Sequence, residues 1–192
     1  MYKALFLDRD GVIVHGIFDH GDPRTILSPE EIEYIPGIFD LLKHAQEKKY
    51  KIIIISNQPG IGLGRLSEET FQKISQKIMD DFRKQSITIV GAYYCFHHPY
   101  AKIGKYKKIC NCRKPEPGML LQAAKEHDID LSQSFFIGDG VNDVIAGHKA
   151  GCKTILLANV LESEYLRLLE KNLKGIKPDY LIKKISEVSS ML

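Results

Sequence analysis

Ile52, Ile53, Ile54 and Ile55 stand side by side in this chain, and few folds can use such a run. A strand alternates its side chains between two faces, so consecutive apolar residues need both faces covered. That is the setting of a parallel sheet lying between helices. The rest of the 192 residues repeats the theme. Tyr2 to Leu7 is a short apolar run ending at Asp8. Gly91 to Phe96, Ser134 to Ile137, Lys153 to Leu157 and Tyr180 to Ile182 also read as strands. Between them the period changes. Ile38, Leu41, Leu42 and Ala45 recur at helical spacing within Gly37 to Lys49. Ser67 is a natural N-cap for a helix that continues from Thr70 to Lys84. Pro117 opens another, running to about His127, where proline is tolerated. Asn142 to Ala150 and Leu161 to Leu173 complete the helices. Such alternation predicts an α/β fold with helices on both faces of a parallel sheet. The length fits one domain spanning 1–192. The intervals from Asp10 to Ser56 and from Gln58 to Cys95 leave no room for a large cap domain.

Charge and composition exclude several classes of function. A net charge of +3 argues for neither a nucleic-acid partner nor a membrane surface. No apolar run approaches the ~20 residues that cross a bilayer. Met1 to Asp8 lacks the pattern of a signal peptide, so the expectation is a cytoplasmic monomer. In that compartment the four cysteines are thiolates or metal ligands before they are disulfides.

Ligands of parallel α/β sheets bind beyond the carboxyl ends of the strands. At those positions the sequence places Asp8, Arg9, Asp10 and Gly11; then Ser56, Asn57 and Gln58; then Cys95 and His97, with Arg113 and Lys114 later; then Gly138 and Asp139. Two carboxylates two residues apart can share one site, one attacking phosphorus while the other handles protons. A phosphate beside a carboxylate nucleophile needs a divalent cation. Magnesium suits a site of few carboxylates and phosphate oxygens, with Asp139 as the third oxygen ligand beside Asp8 and Asp10. Ser56 and the amides around Asn57 can donate to phosphate oxygens, and Lys114 can neutralise charge in the transition state. Taken singly, each of these residues has an ordinary structural explanation. Their order, each after a strand, points to chemistry.

A second constellation is Cys95 and His97 followed by Cys110 and Cys112, a set suited to tetrahedral zinc with no open position. The segment from Tyr100 to Lys108 is too polar to order itself by burial, so a metal would close the loop at 95–112 and add folding energy. Cys152 has no partner in this pattern and reads as a packing residue. His98 points away from His97 on an extended chain. Pro115 disfavours helix at Lys114, so Arg113 and Lys114 are expected on an extended stretch.

These motifs resemble those of the haloacid dehalogenase (HAD) superfamily: Asp8-Arg9-Asp10-Gly11-Val12, Ser56-Asn57-Gln58, Lys114, and Gly138-Asp139 with Asp143. The resemblance implies a Rossmann-like, HAD-type sheet. It makes Asp8 the nucleophile that forms an aspartyl phosphate and Asp10 the general acid and base. Ser56 and Lys114 would hold the phosphoryl group and Asp139 would bind magnesium, with a weaker claim for Asp143. More narrowly, Cys95-Phe96-His97-His98-Pro99, Cys110-Asn111-Cys112-Arg113-Lys114-Pro115 and Pro117-Gly118-Met119-Leu120-Leu121 resemble the heptose-bisphosphate phosphatases, and less closely the histidinol-phosphatase domains. That implies removal of the 7-phosphate of a heptose 1,7-bisphosphate. Asn57, Gln58 and Arg113 would touch the phosphorylated sugar, Arg113 gripping a second anionic group. The chain departs from the pattern at Gly140, where a lysine is usual, and in the longer Val14 to Pro29 segment.

Gly60, Gly62 and Gly64 lack dinucleotide spacing and read as a flexible loop beside the site. Lys102, Lys105, Lys107 and Lys108 read as a solvated run, or else as an attractor for a doubly charged substrate. A zinc-knuckle module binding nucleic acid through Tyr100, Tyr106 and the lysines would leave the aspartates without purpose. His15, His20, His44, His127 and His148 have no paired ligands.

Overall fold

The structure is a computed structural model describing residues 1–19, 22–24, 26–158, 173 and 175–192. Its strands are β1 (Ala4–Leu7), β2 (Ile17–Asp19), β3 (Asp22–Arg24), β4 (Lys51–Asn57), β5 (Ile89–Cys95), β6 (Phe135–Gly138), β7 (Lys153–Leu157) and β8 (Tyr180–Ile182). Its helices are α1 (Ile38–Glu47), α2 (Pro59–Gly62), α3 (Glu68–Lys84), α4 (Gly118–His127) and α5 (Val141–Ala150). Six strands form one sheet in the order β5-β4-β1-β6-β7-β8, with every pairing parallel.

The isoleucine run does what its alternation demands. Ile52 and Ile54 join Leu5, Leu7, Phe135 and Ile137 in a core beneath α1 and α3. Ile53 and Ile55 join Ala4, Phe6 and Phe136 in a second core beneath α4 and α5. The two cores are the two faces of the sheet. Ser67 caps α3 as expected, accepting from the Thr70 amide at 3.0 Å. Gly151, in the left-handed region at φ 86°, ends α5 without the clash a side chain would bring there.

Four local expectations are corrected. β4 does not stop at Ile55. Ser56 and Asn57 stay in register with Tyr94 and Cys95, so both are the last residues of a strand. The segment Pro59–Gly62 is not a flexible loop but a helical turn, with Gly60, Ile61 and Gly62 buried. A side chain on Gly62 would meet the Phe96 carbonyl oxygen at 2.4 Å, so close packing is what requires glycine there. Part of the Val14 to Pro29 segment pairs β2 with β3 as an antiparallel hairpin that no alternation announced. Arg113 and Lys114 lie in a turn, closed by the Glu116 amide donating to the Arg113 carbonyl at 2.8 Å, rather than on an extended stretch. The helix expected over Leu161 to Leu173, apart from Leu173 itself, and His20 lie outside the described residues.

Candidate active site

β1 lies between β4 and β6, so the carboxyl ends of three neighbouring strands open on one place. Asp8 stands at its centre. One of its oxygens, Oδ1, accepts from the Arg9 amide at 2.7 Å, and the other lies 2.9 Å from Lys114 Nζ. Lys114 Nζ also lies 2.6 Å from Asp143 Oδ1 and donates to the Ile55 carbonyl at 3.0 Å. Its turn is clamped to the end of β4 by one side chain. Asn57 Oδ1 accepts from the Lys114 amide at 3.1 Å, and Asn57 Nδ2 donates to the Lys114 carbonyl at 3.0 Å. The Lys114 ammonium is therefore fixed at both ends and is 2% exposed.

The β6 side contributes Asp139 and Asp143. Asp143 Oδ2 accepts from the Gly140 amide at 3.1 Å, closing the first turn of α5 and holding the carboxylate inward. Gly11 has φ 81°, and a side chain there would come within 1.9 Å of Asp139 Oδ2. The loop after β1 can lie against Asp139 because residue 11 is glycine.

Carboxylate oxygens of Asp8, Asp139 and Asp143 lie within 4.8 Å of one another. Burial, with the charges of Asp143 and Asp10 added, pushes Asp8 up to about 6 against the pull of Lys114. Burial also raises Asp139 well above the usual carboxylate range, and Asp143 and Asp8 add to the effect. Lys114 moves the opposite way to what burial dictates, because Asp143 and Asp8 hold its proton. Counting Asp10, four carboxylates face the two cations Arg9 and Lys114. The excess of negative charge, in a place with little water, fits a divalent cation with oxygen ligands.

Asp10 stands apart from the oxygen cluster expected to include it. Its Oδ1 accepts from Arg9 Nε at 3.0 Å. Its Oδ2 accepts from Arg9 Nη2 at 3.0 Å and from Gln58 Nε2 at 2.7 Å. Gln58, expected to touch substrate, is 2% exposed and uses its amide on Asp10, on Arg9 Nη2 at 2.9 Å, and on Ser56 Oγ at 3.1 Å. Asn57, expected in the same role, is likewise committed to Lys114. Arg9 is a residue that sequence reasoning passed over. Its signal was present: a cation between two site carboxylates, directly after a buried strand, needs a buried partner.

The four residues expected to hold zinc also converge. Cys95 Sγ lies 3.6 Å from His97 Nδ1, 3.6 Å from Cys110 Sγ and 3.2 Å from Cys112 Sγ. Cys112 Sγ lies 3.1 Å from Cys110 Sγ and 3.2 Å from His97 Nδ1. Tetrahedral ligands of one zinc ion sit about 3.8 Å apart for two sulfurs and about 3.5 Å for sulfur and nitrogen. The His97 contacts and the Cys95–Cys110 pair come within a few tenths of an ångström of this, and Cys112 lies closer to the other two sulfurs, at 3.1 and 3.2 Å. All four cysteines are free thiols. Burial and Cys112 raise the Cys95 thiol. In Cys110, hydrogen bonds with Cys112 and Cys95 outweigh burial and hold the thiol low. The loop is fastened elsewhere too. The Gly62 carbonyl accepts from the Lys102 and Ile103 amides at 2.9 and 3.1 Å, and Glu68 accepts from Tyr106 Oη at 2.9 Å. Arg113 Nη1 donates to the His97 carbonyl at 3.2 Å, which ties it to the same loop. His98 is turned to Tyr100, whose amide donates to its Nδ1 at 3.2 Å.

The chain has relatives among known proteins. The HAD-hydrolase-like family model matches residues 111–188. The chain is 39% identical over 175 residues to the D-glycero-β-D-manno-heptose-1,7-bisphosphate 7-phosphatase of Helicobacter pylori, covering 90% of this chain and 94% of that one. It is also 39% identical, over 176 residues, to the D-glycero-α-D-manno-heptose-1,7-bisphosphate 7-phosphatase of Campylobacter jejuni, with 91% and 93% covered. Among solved structures, the D,D-heptose 1,7-bisphosphate phosphatase of B. bronchiseptica, complexed with magnesium and phosphate, superposes with a TM-score of 0.79. It is 24% identical and covers 98% of this chain and 97% of its own. Among the described residues, no helix is long and apolar enough to cross a membrane.

Proposed function

The chain belongs to the heptose-1,7-bisphosphate 7-phosphatase family within the HAD superfamily, a family of phosphoric monoester hydrolases, and we propose that it removes the 7-phosphate of a D-glycero-D-manno-heptose 1,7-bisphosphate. In this reading residues 1–192 work as one cytoplasmic phosphatase unit with its zinc loop at 95–112. One observation carries the chemistry. The Asp8 carboxylate is held at the sheet edge between the Arg9 amide and the fixed Lys114 ammonium, where a phosphoryl group would meet both a nucleophile and a cation.

Asp8 attacks phosphorus in line with the sugar oxygen, and its Oδ–P bond forms as the P–O ester bond breaks. Asp10 gives its proton to the departing oxygen. It then takes one from the water that attacks the aspartyl phosphate, releasing phosphate and regenerating Asp8. Ser56 and Lys114 hold the phosphoryl oxygens, and Lys114 offsets the charge they gather. Arg113 holds the distal phosphate. Magnesium fits the oxygens of Asp8, Asp139 and Asp143 and, when bound, neutralises the charge between nucleophile and phosphate. Zinc fits Cys95, His97, Cys110 and Cys112 and has a structural role. Asn57 positions Lys114 rather than touching substrate.

The relatives named for the α and β anomers are equally similar, so identity does not choose between them. Measuring kcat/KM for both heptose 1,7-bisphosphate anomers and for histidinol phosphate on one preparation tests the assignment. At least about a 100-fold preference for one heptose anomer over histidinol phosphate is expected, about 2.7 kcal/mol in transition-state binding. Equal rates, or a preference for histidinol phosphate, would overturn the substrate and leave the phosphatase chemistry standing.

A further inference from the structure

Arg9 is 0% exposed, and its guanidinium faces Asp10 with two parallel hydrogen bonds, a geometry that fixes a carboxylate's rotation as well as its place. Gln58 completes the grip from the neighbouring strand. It donates to Asp10 Oδ2 and accepts from Arg9 Nη2, so all three groups lock one another. Behind them the guanidinium carbon stands 5.7 Å from the centre of the Phe71 ring, which backs it with an apolar wall. Arg9 Nη1 is buried without a hydrogen-bond partner. Burying a guanidinium with one nitrogen unpaired is a poor way to stabilise a fold.

We propose that Arg9, with Gln58 as its second arm, is the positioning residue that aims Asp10 at the leaving-group oxygen. The inference rests on the aspartyl-phosphate reading above. A carboxylate offers about four lone-pair sites. Arg9 and Gln58 take both on Oδ2 and one on Oδ1. The remaining site is on Oδ1, so that oxygen carries the working proton. It releases the proton to the ester oxygen as the P–O bond breaks, and recovers one from the attacking water. Asp10 retains 35% side-chain exposure, which gives that oxygen access to substrate and water. Without the fork, a carboxylate so exposed is free to rotate toward solvent. Gln58 also donates to Ser56 Oγ, so the aim of Asp10 and the phosphoryl-holding hydroxyl are set by one side chain.

General acid assistance matters for a poor leaving group such as a sugar alkoxide and little for p-nitrophenolate, and that contrast supplies the test. Arg9→Met should lower kcat/KM, which reports only the steps through aspartyl-phosphate formation, about 100-fold on an alkyl or sugar phosphate, the low end of what a positioned acid contributes. The loss of kcat/KM on p-nitrophenyl phosphate should be no more than about threefold, while kcat should fall on both substrates because Asp10 also serves as base when water attacks the shared aspartyl phosphate. Asp10→Asn should show the same leaving-group contrast. The double variant Arg9→Met/Asp10→Asn should be no slower than Asp10→Asn alone, because residues that act through one group are not additive. Gln58→Leu, which removes one arm and no charge, should give the same contrast at about tenfold, and it carries the test if Arg9→Met fails to fold by circular dichroism. Equal losses of kcat/KM on both substrates, or losses that add to Asp10→Asn, would overturn the proposal. Failure of the underlying reading looks different: Asp8→Asn would then retain turnover whatever Arg9 does.

Discussion

The phosphoryl centre and the zinc loop lie close together in the chain, yet they are held by opposite means. Around Asp8, the carboxylates rest on strand ends and a helix start, and they repel one another. Desolvation raises Asp8 and Asp139, and the arrangement persists because the sheet on either side is well packed. Around Cys110, the chain has little to bury beyond Ala101 and Tyr106. Tyr100 is 81% exposed and Ile109 89% exposed. Its order comes from four converging ligand atoms and a few bonds to Gly62 and Glu68. A scaffold can therefore impose strain on a site, while a loop without a core must be closed by its own chemistry. Removing a charge from the first region should cost function and add stability. Removing a ligand from the second should cost stability first.

The largest effect expected is in the first region. Asp8→Asn should lower turnover at least about 1000-fold, since an amide is no nucleophile. It should also raise the melting temperature in protein without added magnesium. Asp8 ionises near 3.8 unfolded but about 6 folded, so the folded state binds the proton more tightly. The ionised form thus costs stability, a cost absent below the unfolded value, growing between the two and complete above about 6. The gain in the variant should accordingly be full at pH 7.5 and vanish toward pH 3.5. Melting curves across that range, with deamidation excluded by mass spectrometry, check both halves. A variant that keeps a tenth of its turnover, or melts lower at neutral pH, breaks the contrast.

In the second region, Cys112→Ser should lose the metal measured by elemental analysis, one zinc per chain in the parent. It should melt lower by at least about 5 °C. The same protein at low temperature should still release phosphate from p-nitrophenyl phosphate. A metal-free parent, or a Cys110–Cys112 disulfide found by thiol titration, would remove the basis of the comparison.

The smallest effect lies where the two regions meet. Arg113 is fastened to the His97 carbonyl while Lys114 beside it enters the phosphoryl centre. Arg113→Ala should lower kcat/KM for a bisphosphate about 10- to 150-fold, the loss of one charge-assisted bond. For a simple aryl phosphate the change should be slight. Equal losses on both would place Arg113 with the catalytic machinery.

Much of this was legible in the sequence, for definite reasons. Ile52 to Ile55 could serve in few folds other than a doubly covered sheet. The ends of β1, β4, β5 and β6 then told which polar residues would meet. What remained hidden was side-chain direction. Nothing in the order of residues shows that Gln58 turns inward to Asp10, or that Asn57 spends its amide on the Lys114 backbone. Both look like ligand contacts because both follow a strand. Asp143 was undervalued for a related reason: it caps the first turn of α5, and that capping bond points it at Lys114. The helical turn Pro59–Gly62 escaped notice because three glycines suggest freedom, whereas Gly62 is there to let the zinc loop approach.

The place of β1 in the sheet has a consequence for synthesis. The strand that leads to the nucleophile is translated before both strands that complete its edges, β4 and, much later, β6. A nascent chain that has left the ribosome only as far as α4 can assemble β5-β4-β1 and must hold the β6 edge of β1 unpaired. Leu5, Phe6 and Leu7 then offer open backbone groups on an apolar strand, the kind of edge that recruits another chain or a chaperone. Arrival of Phe135–Gly138 closes that edge and brings Asp139 and Asp143 to Asp8 in the same event. The enzyme thus acquires its reactive centre only when this open apolar edge disappears.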